Sequence, residues 1–156
     1  MKHRKSPRLQ GYDYSQSGAY FVTICTHQRQ YIFGTIQDGN MILNDYGNIA
    51  TEHWYIIPDH YPDVELDAFI VMPNHVHGII CLDAERTNFK TVLGRVINAY
   101  KGAVTAGIRK LELSQVIFWQ GRYHDHIIRN EDGLNQIRQY VISNPQLWYE
   151  DTFYSE

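Results

Sequence analysis

The chain has 156 residues, with 14 Lys and Arg against 17 Asp and Glu and a net charge of −3. Hydrophobic residues at 44% and charged ones at 20% exclude a disordered chain, and the length suits one domain with its own core. The acidic balance excludes a surface that is basic throughout, which weighs against nucleic acid until the charges are placed along the chain. No apolar run reaches the roughly 20 residues of a membrane span. The basic start, MKHRKSPRLQ, lacks the apolar stretch of a signal peptide. Two cysteines, Cys25 and Cys81, are too few for a disulfide framework, so a cytoplasmic protein is expected.

Residues 1–18 read as a basic N-terminal arm of a single 1–156 domain. Ala19 to His27 (AYFVTICTH) is rich in β-branched and aromatic residues and predicts a buried strand. Tyr31 to Ile36 and Met41 to Leu43 flank Asp38-Gly39-Asn40 and predict a hairpin. Asn44 is placed to cap a helix through Ile49, Trp54 and Tyr55 that Pro58 stops. Val64 to Met72 and His75 to Leu82 predict two strands joined at Pro73-Asn74. From Asn88 to Lys110, Phe89, Val92, Val96, Ile97, Tyr100 and Val104 follow helical spacing. Ile117 to Trp119 and Tyr123 to Ile128 read as extended. A last helix starts near Glu131, turns Leu134, Ile137 and Val141 inward and ends before Pro145. This order predicts an α+β fold with an antiparallel sheet and helices mainly on one face.

His75-Val76-His77 is the sharpest local feature. Residues two apart in a strand share a face, so both imidazoles can approach one divalent cation while Val76 turns the other way. A bare His-x-His is more often two surface histidines on an edge strand. His124-Asp125-His126 repeats the spacing; His124 fits a solvated turn, and His126 is a candidate further ligand. Among the 12 tyrosines, Tyr20, Tyr31, Tyr55 and Tyr100 fall in apolar patterns and read as core or half-buried. Tyr140 and Asn144 stand at i and i+4 and share a helix face, which projects a phenol and an amide together. On spacing alone, a plain amphipathic helix with Tyr140 half buried and Asn144 ending it before Pro145 is the favoured reading.

With the strings VMPNHVHGII and YVISNP in place, the chain resembles the HUH single-strand-DNA transposases with one catalytic tyrosine, and within them the REP-associated tyrosine transposases. The segments GYDYSQSGAYFVTICTHQR, FGTIQDGNMILNDYGNI and FWQGRYHDHIIRNEDGLNQIRQYVISNPQLWYED carry the likeness from about Arg8 to Asp151. The resemblance implies a ferredoxin-like fold with His75 and His77 on a central strand holding Mg or Mn. It implies Tyr140 as the nucleophile that nicks single-stranded, hairpin-bearing DNA through a 5′-phosphotyrosine and transfers the strand. Related transposases place a glutamine one turn past the tyrosine as third ligand. Here Asn144 stands there, with His126 as a substitute, and both monomers and homodimers fit. A catalytically inactive hairpin-binding regulator, a replication-initiator-type nickase and a metal hydrolase using water are the competing functions.

The charge distribution suits such a substrate better than the total does. Lys2, Arg4, Lys5 and Arg8 precede the first acid, Asp13. Arg86, Lys90, Arg95, Lys101, Arg109 and Lys110 lie in an acid-free stretch, and Arg122 and Arg129 flank the second histidine pair. As a set they predict a phosphate-binding surface. Tyr12, Tyr14 and Tyr123 are the candidates for stacking on bases.

Overall fold

The computed structural model describes residues 18–83, 92–111 and 118–150. In chain order these form strand β1 (Gly18–Cys25), the hairpin β2 (Gly34–Gln37) and β3 (Asn40–Leu43), and helix α1 (Asp45–Tyr55). A short helix α2 (Ile57–His60), strands β4 (Val64–Met72) and β5 (His75–Leu82), helix α3 (Leu93–Leu111), strand β6 (His124–Ile128) and helix α4 (Glu131–Ser143) follow. The main sheet has the order β4-β5-β1-β6 with every neighbouring pair antiparallel. Leaving the hairpin aside, β1-α1-β4 and β5-α3-β6 are two split βαβ units, which is the ferredoxin-like arrangement.

Local chemistry explains most boundaries. Asp38 and Gly39 both take positive φ (52° and 75°), so the two-residue hairpin turn is of the primed kind that Asp-Gly favours. The Asn44 side chain accepts from the Gly47 amide at 2.9 Å and caps α1, and Asn130 caps α4 through Gly133 at 2.7 Å. Pro58 does not stop α1, as the sequence had suggested. The helix ends at Tyr55, and Pro58 sits in the first turn of α2, where its missing amide hydrogen costs nothing. Residues 84–91 and 112–117 lie outside the described residues, so the expected helix start at Asn88 and the extended Ile117 do too.

Strand alternation gives the sheet two different faces. Tyr20, Val22, Ile24, Val76, Ile80 and Leu82 point to one side and pack with Trp54 of α1 and with Val96, Ile97, Tyr100, Val104 and Ile108 of α3. The opposite residues, Phe21, Ile79, Cys81 and Ile128, meet Leu134, Ile137 and Val141 of α4. Two of the three long helices therefore share a face. Gly78, directly after His77 in β5, has no room for a side chain, because a Cβ there would come within 2.3 Å of the Trp54 ring. Tyr20 and Tyr100 are buried as expected. Tyr31 is half-buried, with its ring edge-on to Trp148, whereas Tyr55 is more exposed than expected although its ring meets Phe69 edge-on.

A register shift between Leu66 and Phe69 of β4 sets Asp67 and Ala68 together opposite Ile79. Asp67 thereby reaches α4, where Arg138 grips it through Nε at 2.8 Å and through Nη2 at 2.6 Å. The Arg138 hydrogen bond is the main reason the Asp67 carboxyl is held below its ordinary value, against the smaller opposing effect of burial. Among the described residues, no helix is long and apolar enough to cross a membrane.

Candidate functional site

The site is built where the start of β5 meets the end of α4. His75 and His77 are both buried, on the α4 face of the sheet, and their Nε2 atoms lie 2.9 Å apart. Each ring is held from behind. Asn74 directs Nδ2 at the Arg29 carbonyl (3.4 Å), which leaves Oδ1 to accept from His75 Nδ1 at 2.7 Å. With its proton on Nδ1, His75 accepts at Nε2 from His77, and His77 Nδ1 accepts from the Thr23 hydroxyl at 2.8 Å. Because Thr23 Oγ1 can accept as well as donate, His77 can move its proton to Nδ1 and turn a second Nε2 lone pair towards the same point. Rings fixed at Nδ1 by oxygen partners and converging at Nε2 are what a metal-binding imidazole pair requires.

The α4 side completes the arrangement. The Tyr140 ring lies edge-on to His77 with centroids 5.4 Å apart and also meets Phe21 at 6.0 Å, while 42% of the residue stays exposed. Asn144, one turn on, is 2% exposed at the C-cap of α4. Burial pulls the His75 imidazole down to about 3; hydrogen bonding to the Asn144 side chain opposes this, and the Arg29 charge adds to it. His75 is thus neutral at physiological pH. Trp148 stacks on His75 at 6.2 Å and is met in turn by Tyr31 at 5.6 Å. The expected i and i+4 sharing of one helix face holds, and it places phenol and amide over successive histidines.

Other expected residues fall elsewhere. The ladder pairs Thr23 with both His77 and His124, and Phe21 with both Ile79 and His126. His126 is therefore on the right face but two strands away, with Phe21 between, and is not brought to the pair. Among the described residues, no group of three His, Cys, Asp or Glu side chains is arranged to hold a metal ion. His124 begins β6 and is not in a turn. Arg95 and Lys101 belong to α3, across the sheet from the histidines, because the apolar stripe of that helix faces the Trp54 side. Lys101 Nζ donates to the Gln120 carbonyl at 2.8 Å, and burial lowers its pKa. Arg122 is exposed at the histidine end of β6, and Arg129 is exposed at the far end, next to the Ala19–Ile128 pair. Tyr123 is buried and offers no stacking face. Arg4, Lys5, Arg8, Lys90, Tyr12 and Tyr14 lie outside the described residues.

Sequence reasoning did not find Thr23, Asn74, Arg29, Tyr31 or Trp148. Thr23 carried one usable signal, its place on the same-face alternation of β1. The others depend on which segments meet.

The comparisons agree with this geometry. No family model matches the chain. An uncharacterized protein of Haemophilus influenzae is 36% identical over 170 residues, spanning 97% of this chain and 93% of that protein. A second Haemophilus influenzae protein, assigned provisionally as a REP-associated tyrosine transposase, is 23% identical over 85% of this chain and 73% of its own length. The solved structure of a REP-associated tyrosine transposase bound to a REP hairpin superposes with a TM-score of 0.65 at 20% identity, covering 88% of this chain and 72% of that one. Element order and sheet topology define a ferredoxin-like domain with a buried histidine pair beside an exposed tyrosine. The chain is similar to the REP-associated tyrosine transposases and shares the fold of the solved one.

Proposed function

We propose that this protein nicks and rejoins single-stranded DNA at hairpin-forming sequences, with Tyr140 as nucleophile and a divalent cation, Mg or Mn, at the histidine pair. The observation that carries the proposal is the Tyr140 ring 5.4 Å from that of His77 within a single chain. A monomer thereby has its own tyrosine at its own histidines. A solved relative of the same fold is bound to a REP hairpin, which supports hairpin DNA as the substrate class here.

His75 Nε2, His77 Nε2 and the Asn144 amide oxygen would hold the cation. When bound, it supplies Lewis-acid polarisation of the phosphate and offsets the charge that develops during displacement. The rest of the chemistry belongs to the chain. The partly exposed face of Tyr140 admits a DNA strand, and Phe21 and His77 hold the ring edge-on so that its oxygen has one direction to face. A phenol with a pKa near ~10 is a weak nucleophile at neutral pH, so its placement beside a cationic centre is essential. Its oxygen forms a bond to phosphorus as the bond to the 3′-oxygen breaks. The phenol loses its proton, the 3′-oxygen leaves as a hydroxyl, and the 5′-phosphate stays on Tyr140. The phosphodiester bond energy is retained, so the 3′-hydroxyl of another strand reverses the step without a nucleotide triphosphate.

A labelled single-stranded hairpin incubated with protein and Mn tests this. The expected result is a covalent adduct that is absent in Tyr140→Phe. Tight binding with no adduct from the unaltered protein would instead identify a hairpin-binding regulator. Cleavage that survives Tyr140→Phe would make water the nucleophile and end the tyrosine mechanism.

A further inference from the structure

Between β1 and β2 the chain makes a single helical turn, His27–Arg29, in which Gln28 and Arg29 both hold positive φ (54° and 55°). Two consecutive side-chain-bearing residues in the left-handed region are unfavourable unless their surroundings enforce them. Here they do. Thr26 donates its amide to the Asn74 carbonyl at 2.9 Å, and its hydroxyl reaches the Gln30 and Asn74 carbonyls at 2.7 and 3.0 Å. His27 donates to the Phe118 carbonyl at 2.8 Å, and Ile32 and Phe33 both donate to the Pro73 carbonyl. The loop is bolted to the β4–β5 turn that orients His75, and the single Asn74 amide joins the Arg29 backbone to the His75 ring.

This strain has a consequence for the surface. It holds an exposed arginine whose backbone carbonyl is joined through the Asn74 side chain to the His75 ring. It also leads into Tyr31, which is 44% exposed although its ring is fixed edge-on to the buried Trp148 that stacks on His75. A cation and a rigidly mounted, half-exposed aromatic ring side by side match the alternation of phosphate and base in a single strand. Tyr31 is two ring contacts from His75, within a few nucleotides of the reacting position.

We propose that the Gln28–Tyr31 loop is a nucleotide clamp for the single DNA strand leading into the histidine site, with the Arg29 guanidinium on a backbone phosphate and the Tyr31 ring stacked on the adjoining base. The clamp rests on the DNA-processing function proposed above but does not depend on Tyr140 chemistry.

The test measures binding of a fluorescent single-stranded oligonucleotide to the metal-free protein across a salt series. Arg29→Gln is expected to weaken binding and to reduce the slope of log affinity against log salt by about 0.7, the loss of one phosphate contact on a single strand. Tyr31→Leu is expected to weaken binding by roughly tenfold, with Tyr31→Phe near the unaltered protein, because the ring rather than the hydroxyl stacks. In oligonucleotides with one abasic site moved along the strand, one position should weaken the unaltered protein and leave Tyr31→Leu unaffected. An unchanged salt slope in Arg29→Gln, unchanged affinity in Tyr31→Leu, or the lack of any such position overturns the clamp. If the unaltered protein forms no adduct while these effects appear, the clamp stands and the nicking mechanism falls.

Discussion

On the α1–α3 face of the sheet, Tyr20, Trp54 and Tyr100 are enclosed among aliphatic side chains, and Trp54 stacks on Phe69 at 4.4 Å. On the α4 face, the buried apolar cluster is confined to Ile79, Ile128, Ile137 and Val141, and beyond it come the histidine pair, Asn144 and Tyr140. The same strands serve both, since neighbouring residues of β5 point to opposite sides. The lesson is that most of the stabilising apolar burial lies behind the sheet, which leaves its front free to carry polar groups in fixed register. A rigid platform needs such a division. Buried polar groups are stabilising only when their partners hold them, and here Thr23 and Asn74 do so from the platform itself.

Four substitutions would break or sharpen that contrast. His77→Leu on the front face has the largest expected effect, a loss of adduct formation of at least about 10³-fold with hairpin binding retained. Parallel gel-shift and adduct assays check it; cleavage that persists would remove His77 from the chemistry. Behind the sheet, Trp54→Ala should cost about 3–5 kcal/mol in urea denaturation, with the folded fraction still able to form the adduct. Should that fraction be inactive, the two faces are coupled more tightly than the packing implies. Thr23→Val keeps the shape of the side chain but removes the hydroxyl behind His77, and Mn affinity measured calorimetrically should fall about 10–100-fold.

The smallest effect is expected where α4 is tied to β4. Asp67 is held below its ordinary 3.8, mainly by the Arg138 hydrogen bond. A lowered folded-state pKa means that its stabilisation is complete above 3.8 and is lost as the pH falls through the lower folded value. Asp67→Asn should therefore be less stable than the unaltered protein at pH 6, with the gap closing as the pH drops below 3.8. Denaturation at several pH values checks this, and a gap that stays constant would show that the ion pair is not its source.

Much of the fold was legible because its signals are local. The turn at Pro73-Asn74, the Asp38-Gly39 hairpin and the Asn44 cap are set by residues within a few positions of one another. The strand bounds Val64–Met72 and His75–Leu82 fell where the pattern placed them. The basic stretch ending at Lys110 shows where such signals run out. Its described part, α3, forms as a helix, but whether its charges face the site is decided by which sheet face its apolar stripe covers. That places Arg95 and Lys101 away from the histidines. His126 shows the same limit, since its spacing matched that of the pair but β1 and Phe21 lie between them.

By itself, the sequence determined the shared face of His75 and His77 and the pairing of Tyr140 with Asn144, because period-2 and period-3.6 geometry act within a single element. Resemblance linked those two pairs across 65 positions. Only the tertiary structure brought Thr23, Asn74, Arg29, Tyr31 and Trp148 around them, through contacts between segments distant in the chain. It also reversed the meaning of the charge. The described cation whose charge acts on His75, Arg29, comes from a strained loop after β1, because backbone position rather than abundance along the chain decides which charge meets the site.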